Sequence, residues 1–359
     1  MQSLPSITQS TRPARRRFLQ QCATGAAGIG LAGLGTLAGP AAANPTVTRP
    51  REMLLLIEKS AHTFSIYDAE TGEVVRRIPM PAGALYPHEF VVDSSRRYAY
   101  IGHYGVQNSG IEGVGGNRIF VIDLKQMVHV RTLRTDAFYR IHGLAMDDQD
   151  RLYALSETQG AVLIFDDPSR SETPNRAVPT GGYKSHLVAL TRDGKQAFSM
   201  NLLSNTVTYF KPHDPAFVPV VIKPGRKPEG NCLSRDERTL YVTNRNDNTV
   251  VAIDIATQKI TGSAATGKDP TRVYLAPDGR LFVSNYGENS ISLFDAVLKP
   301  VGHIALPAQP IAVSFHPLRP MAYVSLTDDT LGMLDLATLR FTRFVKTLAE
   351  PDVSMVIVA

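Results

Sequence analysis

Residues 274–295 read Tyr274-Leu275-Ala276-Pro277-Asp278-Gly279-Arg280-Leu281-Phe282-Val283-Ser284-Asn285 and, after a short turn, Asn289-Ser290-Ile291-Ser292-Leu293-Phe294-Asp295. Apolar and polar side chains alternate on both sides of Asp278-Gly279, which is the period of a half-buried strand and not of a helix. Gly279 supplies the positive φ that a tight hairpin demands. Asn285 and Asn289 are residue types that hydrogen-bond backbone in the next turn. Three short antiparallel strands therefore fit into this stretch.

The same frame recurs at 232–254, which contains Tyr241-Val242-Thr243-Asn244, and at 187–210, with Asp193-Gly194, Asn201 and Asn205. Degenerate copies run over 144–166, 90–123 and 313–335. A further copy is split: 352–358 reads as an innermost strand, and Leu54–Ile57 and Phe64–Asp68 supply the next two. One such sheet cannot bury both of its faces, whereas copies stacked radially cover one another, and a blade shared by the two ends closes the ring. The expected fold is all-β: a seven-bladed β-propeller of four-stranded antiparallel blades over residues 53–359, closed by a blade shared between the N- and C-termini.

Tyr241-Val242-Thr243-Asn244, Ser284-Asn285 and Pro277-Asp278-Gly279 resemble the motifs of the YVTN-repeat propellers, also described as surface-layer-type or YncE-like, and the resemblance spans 53–359. It implies the ring but little chemistry, because the matching Asn and Asp residues mostly satisfy turns in that family. The chain has no Trp, which sets it apart from WD40 repeats and tryptophan-docked quinoproteins.

Ahead of the repeats, Arg15-Arg16-Arg17-Phe18-Leu19-Gln20 is followed by a Gly/Ala-rich run and by Ala41-Ala42-Ala43. Residues 1–43 look like a twin-arginine signal peptide cleaved near Asn44, with 44–52 as a linker. The run is too weakly apolar and too rich in glycine for a lasting membrane span, so a periplasmic or secreted protein without stable membrane insertion is expected. Signals of this type resemble those of proteins that fold, and often load a cofactor, before crossing the membrane, which raises the expectation of a bound metal.

Of the net charge of +5, four arginines and no acidic residue fall before residue 44, so the remainder carries only +1. A nearly neutral domain offers no long-range attraction to phosphate backbones, so nucleic acid is not an expected partner. Of two cysteines, Cys22 lies in the signal and Cys232 is left without an intramolecular partner; it reads as a small buried hydrophobe.

Internal alignment places His88, His142, His186, Glu229, Thr271, Ile311 and Asp352 at one equivalent position, where the innermost strand of each blade begins. Innermost strands line the central channel, so three adjacent blades present imidazoles and the next a carboxylate at one mouth. His88, His142, His186 and Glu229 are the candidate ligands of one transition-metal ion, Zn, Cu or Fe. Arg140 and Arg272, with Lys184 and Lys227, flank these positions and are candidates for holding an anionic small ligand. His103 and Glu157 follow second strands and are candidate supporting groups. The glycine-rich insertion 104–117 is long enough to cover the mouth.

Two alternatives stand beside metal or small-ligand binding: a lactonase-like hydrolase or a lyase using the same site, and a platform for a protein partner. Nucleophile elbows, phosphate loops and zinc-protease helices are missing from the sequence, so an enzymatic reading rests on the channel alone.

Overall fold

The computed structural model describes residues 52–358; the expected export signal and nearly all of the linker lie outside the described residues. The strands, numbered β1 to β28 in chain order, form seven separate four-stranded antiparallel sheets. The first blade has the order β28 (Pro351–Val358), β1 (Glu52–Glu58), β2 (Thr63–Asp68), β3 (Val74–Pro79), so the two ends of the chain share it as expected. The other six blades are consecutive quartets. Their innermost strands are β4 (Pro87–Val92), β8 (Ile141–Met146), β12 (Ser185–Leu190), β16 (Pro228–Leu233), β20 (Pro270–Leu275) and β24 (Pro310–Phe315).

Local chemistry accounts for the strand breaks. Asp147 accepts from the backbone N–H groups of Gln149 and Arg151, and Asp93, Asp193 and Asp278 hold equivalent turns. Asn201 and Asn285 each donate to two hydroxyls on the following strand, so the repeat's asparagines serve architecture. The core lies between blades: Leu55, Phe64 and Ile66 of the first blade meet Phe90, Ile101 and Phe120 of the second. Phe64 and Phe90 stand edge to face with ring centroids 5.3 Å apart.

One irregularity recurs in every blade. The ladder between the innermost strand and its neighbour shifts register within its first few residues: between Pro87 and Phe90, Ile141 and Leu144, Ser185 and Leu187, Pro228 and Asn231, Pro270 and Arg272, Pro310 and Ala312, and opposite Leu56 and Glu58 in the shared blade. The second residue of each innermost strand falls inside this bulge. Bulges turn a strand and re-aim a side chain. The residue just before the strand, Tyr86, Arg140, Lys184, Lys227, Asp269 or Glu350, has a positive φ of 50–58°.

Because β28 supplies the inner strand of the first blade and packs against β24 and β4 of the flanking blades, its loss should open the ring. We expect a chain ending before Pro351 to lose its single cooperative unfolding transition in circular dichroism; retention of a wild-type transition would contradict closure through β28.

Candidate functional site

Three repeat-equivalent positions build one end of the channel. The bulge position contributes His88, His142, His186, Glu229, Thr271, Ile311 and Asp352, the seven residues aligned from sequence. The first residue after each second strand contributes Lys59, Tyr104, Glu157, Arg245, Tyr286 and Thr327. The residue of positive φ contributes Lys227 and Glu350, with Arg140 and Lys184 beside them. In most blades the second group donates its backbone N–H to the carbonyl of the third, as from Glu157 to Arg140, Arg245 to Lys227 and Lys59 to Glu350. All of these except Glu157, Arg140 and Lys184 line a cavity of about 480 Å³.

The three histidines, from consecutive blades, lie side by side. Ring centroids are 4.2 Å apart for His88 and His142 and 3.8 Å for His142 and His186, with interplanar angles of 51° and 38°. Tyr104 stands edge-on to all three. His186 Nδ1 is 2.5 Å from Glu157 Oε2, and His88 Nδ1 is 3.2 Å from Asp352 Oδ2 without forming a hydrogen bond. His142 is fully buried, and neither of its nitrogens has a partner. Burial, reinforced by neighbouring cations and imidazoles, holds the pKa of His88 and His142 well below the ordinary 6.5, so both rings are neutral at physiological pH.

The charged residues are interlocked. Glu229 accepts from Arg245 at 2.7 Å and Arg272 at 3.1 Å; although burial opposes ionisation, Arg245, His186 and Arg272 draw its pKa down to about 2. Arg272 also reaches Glu89 at 3.2 Å, three blades away around the ring, and so bars the channel beneath the histidines. A Cβ on Gly230 would meet the Arg272 Cα at 2.5 Å, so glycine permits this approach. Lys59 lies 2.6 Å from Glu350 and 3.4 Å from Asp352. Burial raises the pKa of Asp352 and Glu89 against the pull of Lys59 and Arg272.

Arg140 is buried and fully engaged: Nη1 donates to Glu157 at 3.1 Å and Nη2 to the carbonyls of Ile111 and Gly113. Lys184 Nζ donates to the Ser109 carbonyl. The insertion is thereby fastened over the mouth, and Gln107, Asn108, Ser109 and Gly110 line the cavity. A Cβ on Gly116 would meet the His103 ring at 2.2 Å, so the insertion folds back closely on its own blade. Arg140 and Arg272, the candidate anion-holding residues, are thus both bound to carboxylates of the protein.

His103 packs against Phe120 away from the cavity, whereas Glu157 lies buried behind the cavity wall as the partner of His186, Arg140 and Tyr104. Arg245, Lys59 and Asp352 were not among the candidate site residues. The offset that would have revealed the first two is the residue following the second strand, as in Asn244-Arg245 and Ser156-Glu157. Cys232 is half-buried on β16, and its thiol pKa is raised by burial.

The donor types are those a transition metal takes: two neutral imidazoles, His88 and His142, with unpaired nitrogens, and a third, His186, whose Nδ1 is held by Glu157. The rings stack, however, closer than the roughly 5 Å expected between imidazoles sharing a tetrahedral ion. Among the described residues no group of three or more His, Cys, Asp or Glu side chains already surrounds a common point. Entry of an ion requires the stack to open.

No protein-family model matches the chain, and no curated protein matches it. Solved structures share the fold. The dihydro-heme d1 dehydrogenase NirN, in complex with DHE, is 16% identical with a TM-score of 0.61; the match covers 83% of this chain and only 64% of that one. A functionally unknown protein from Desulfotomaculum acetoxidans DSM 771 is 11% identical with a TM-score of 0.68, over 83% and 98% of the two chains. A chain of the mitotic checkpoint complex is 13% identical with a TM-score of 0.66, over 78% and 83%. Likeness at this identity establishes a class, the seven-bladed β-propeller, and no chemistry.

Three buried histidines give the protein an acid limit. His103 is held down to about 4 by burial, and His88 and His142 lie well below 6.5. The unfolded chain takes up these protons near pH 6.5 and the folded chain does not, so stability is full above that pH and falls as pH drops through it. We expect the urea midpoint of metal-free protein to fall between about pH 7.5 and about pH 5, and His142→Asn to flatten that fall. A midpoint constant over this range would contradict neutral burial.

Proposed function

We propose that this protein is an exported β-propeller that binds a transition-metal ion, or a small ligand in its place, at one mouth of its central channel through His88, His142 and His186. The observation that carries the proposal is the convergence of three buried rings, two of them neutral by burial, with the nitrogens of His142 unpartnered. An imidazole whose Nδ1 is held by a carboxylate offers its other nitrogen to an ion, which is the relation of Glu157 to His186. Glu89, Glu157, Glu229, Asp269, Glu350 and Asp352 are paired with Lys59, Arg140, Arg245 and Arg272, and Lys184 and Lys227 bring the basic residues to the same number, so the choice of an ion rests on the donor atoms and not on net charge.

His88, His142 and His186 would hold the ion. Glu229, tied to two guanidiniums, is available as a fourth donor only if one of them yields. The bound ion would supply Lewis acidity and positive charge at the base of the cavity. Arg272 closes the channel below, and the 104–117 insertion limits access from above. Export by the twin-arginine route fits this reading, since folding around an ion inside the cell selects the metal before release.

A haem-type macrocycle that one of the histidines would hold is a second reading, favoured by the fold shared with NirN, whose structure is a complex with DHE. Elemental analysis and a visible spectrum of protein folded in the cell separate the two. We expect about one Zn, Cu or Fe per chain with no macrocycle absorption, and a loss of at least tenfold in metal content for His142→Ala. Absence of stoichiometric metal, with His142→Ala unchanged in content, would contradict the metal reading.

A further inference from the structure

Arg140, Lys184 and Lys227 occupy the same position on three consecutive blades, each just before its innermost strand with φ of 54–55°; Lys227 lines the cavity, and the other two are bonded to the insertion that covers its mouth. Residues at this position on other blades include Asp269 and Glu350, and these acids are neutralised by Arg245 and Lys59. The basic arc is treated differently. Arg140 is shared between Glu157 and the carbonyls of Ile111 and Gly113, and Lys184 has only the Ser109 carbonyl. Lys227 lines the cavity half-buried and makes no ion pair with any described residue. Its backbone is pinned on both sides: its N–H donates to Asn205 Oδ1 at 2.8 Å, and its carbonyl accepts from Arg245.

We propose that this arc is the binding site for a small oxygen-rich anion, a polycarboxylate or phosphate, with Lys227 as the principal charge partner. The carbonyls of Ser109, Ile111 and Gly113 now take the places that anionic oxygens would fill on Lys184 and Arg140. Binding exchanges those neutral acceptors for charged ones, which are stronger partners for an ammonium or guanidinium, and releases the insertion from its fastening. The direction of the ligand follows: its charge lies toward β12 and β16, and its remaining atoms extend over the histidines at the cavity base. This rests on the reading of the cavity as a binding site and transfers the anion-holding role from Arg272, which spans the channel as a bar, to Lys227.

Calorimetric titration with citrate and, separately, with inorganic phosphate tests this on full-length mature protein, both as isolated and after chelation, with ionic strength matched by sodium chloride. We expect saturable binding of one of the two anions, weakened about tenfold or more in Lys227→Ala, restored in part by Lys227→Arg, and unaltered in the exposed control Lys195→Ala. Citrate binding assigns a carboxylate ligand, and phosphate binding assigns an oxoanion. Protection of the 104–117 insertion from limited proteolysis should fall when the anion is present. Absence of binding of either anion, or binding unchanged in Lys227→Ala, overturns the proposal. Metal content measured on the same samples reports separately on the histidines, so the anion site can fail while the metal reading stands, and the reverse.

Discussion

A register shift at the mouth of the channel is the constraint on which the site depends. In a regular ladder the second residue of an innermost strand would alternate with its neighbours between the two faces of its own blade. Each blade instead carries a bulge at that point, preceded in six of the seven by a residue of positive φ. Side chains from different blades are thereby aimed at a common axis. Blades are held in place by apolar clusters shared with their neighbours, and by β28, which lets the last segment of the chain complete the first sheet. The convergence of His88, His142 and His186 is a product of ring closure and cannot arise in any one blade.

Charge is then distributed by depth. At the base, imidazoles made neutral by burial stand beside carboxylates, two of which, Glu89 and Asp352, have raised pKa values. Burying several ionisable groups in one cup is costly unless each has partners. Arg272 and Arg245 serve that purpose for Glu229, as Lys59 does for Glu350 and Asp352. Both nitrogens of His142, Nδ1 of His88 and both carboxylate oxygens of Asp352 nevertheless lack hydrogen-bond partners, and buried polar atoms left unpartnered in this way call for an explanation, which the proposed ion supplies.

The ring was legible from Asp278-Gly279 and Tyr241-Val242-Thr243-Asn244 because hairpin turns impose residue types locally and the repeat multiplies the signal. The bulge position was legible too, since it keeps a fixed distance from the following turn in the six copies that are continuous in sequence, and the aligned residues all occupy it. Less accessible were contacts that join different registers. Arg245 follows the motif asparagine, and nothing local distinguishes it from a solvent-facing turn residue, yet it holds Glu229. Glu157 was visible as a candidate while its link to His186 depends on the spacing between blades. Arg140 and Arg272 read as free cations in sequence because their partners, Glu157, Glu229 and Glu89, come from distant positions; the last lies 183 residues away.

The account rests on three imidazoles from successive blades acting on one ion. X-ray absorption of zinc-loaded protein measures this directly. It should show about three imidazole nitrogens near 2.0 Å from the metal, lost together when His88, His142 and His186 are all replaced by alanine. A first shell of oxygen alone, or imidazole scattering that survives the triple replacement, would place the metal elsewhere and contradict the account.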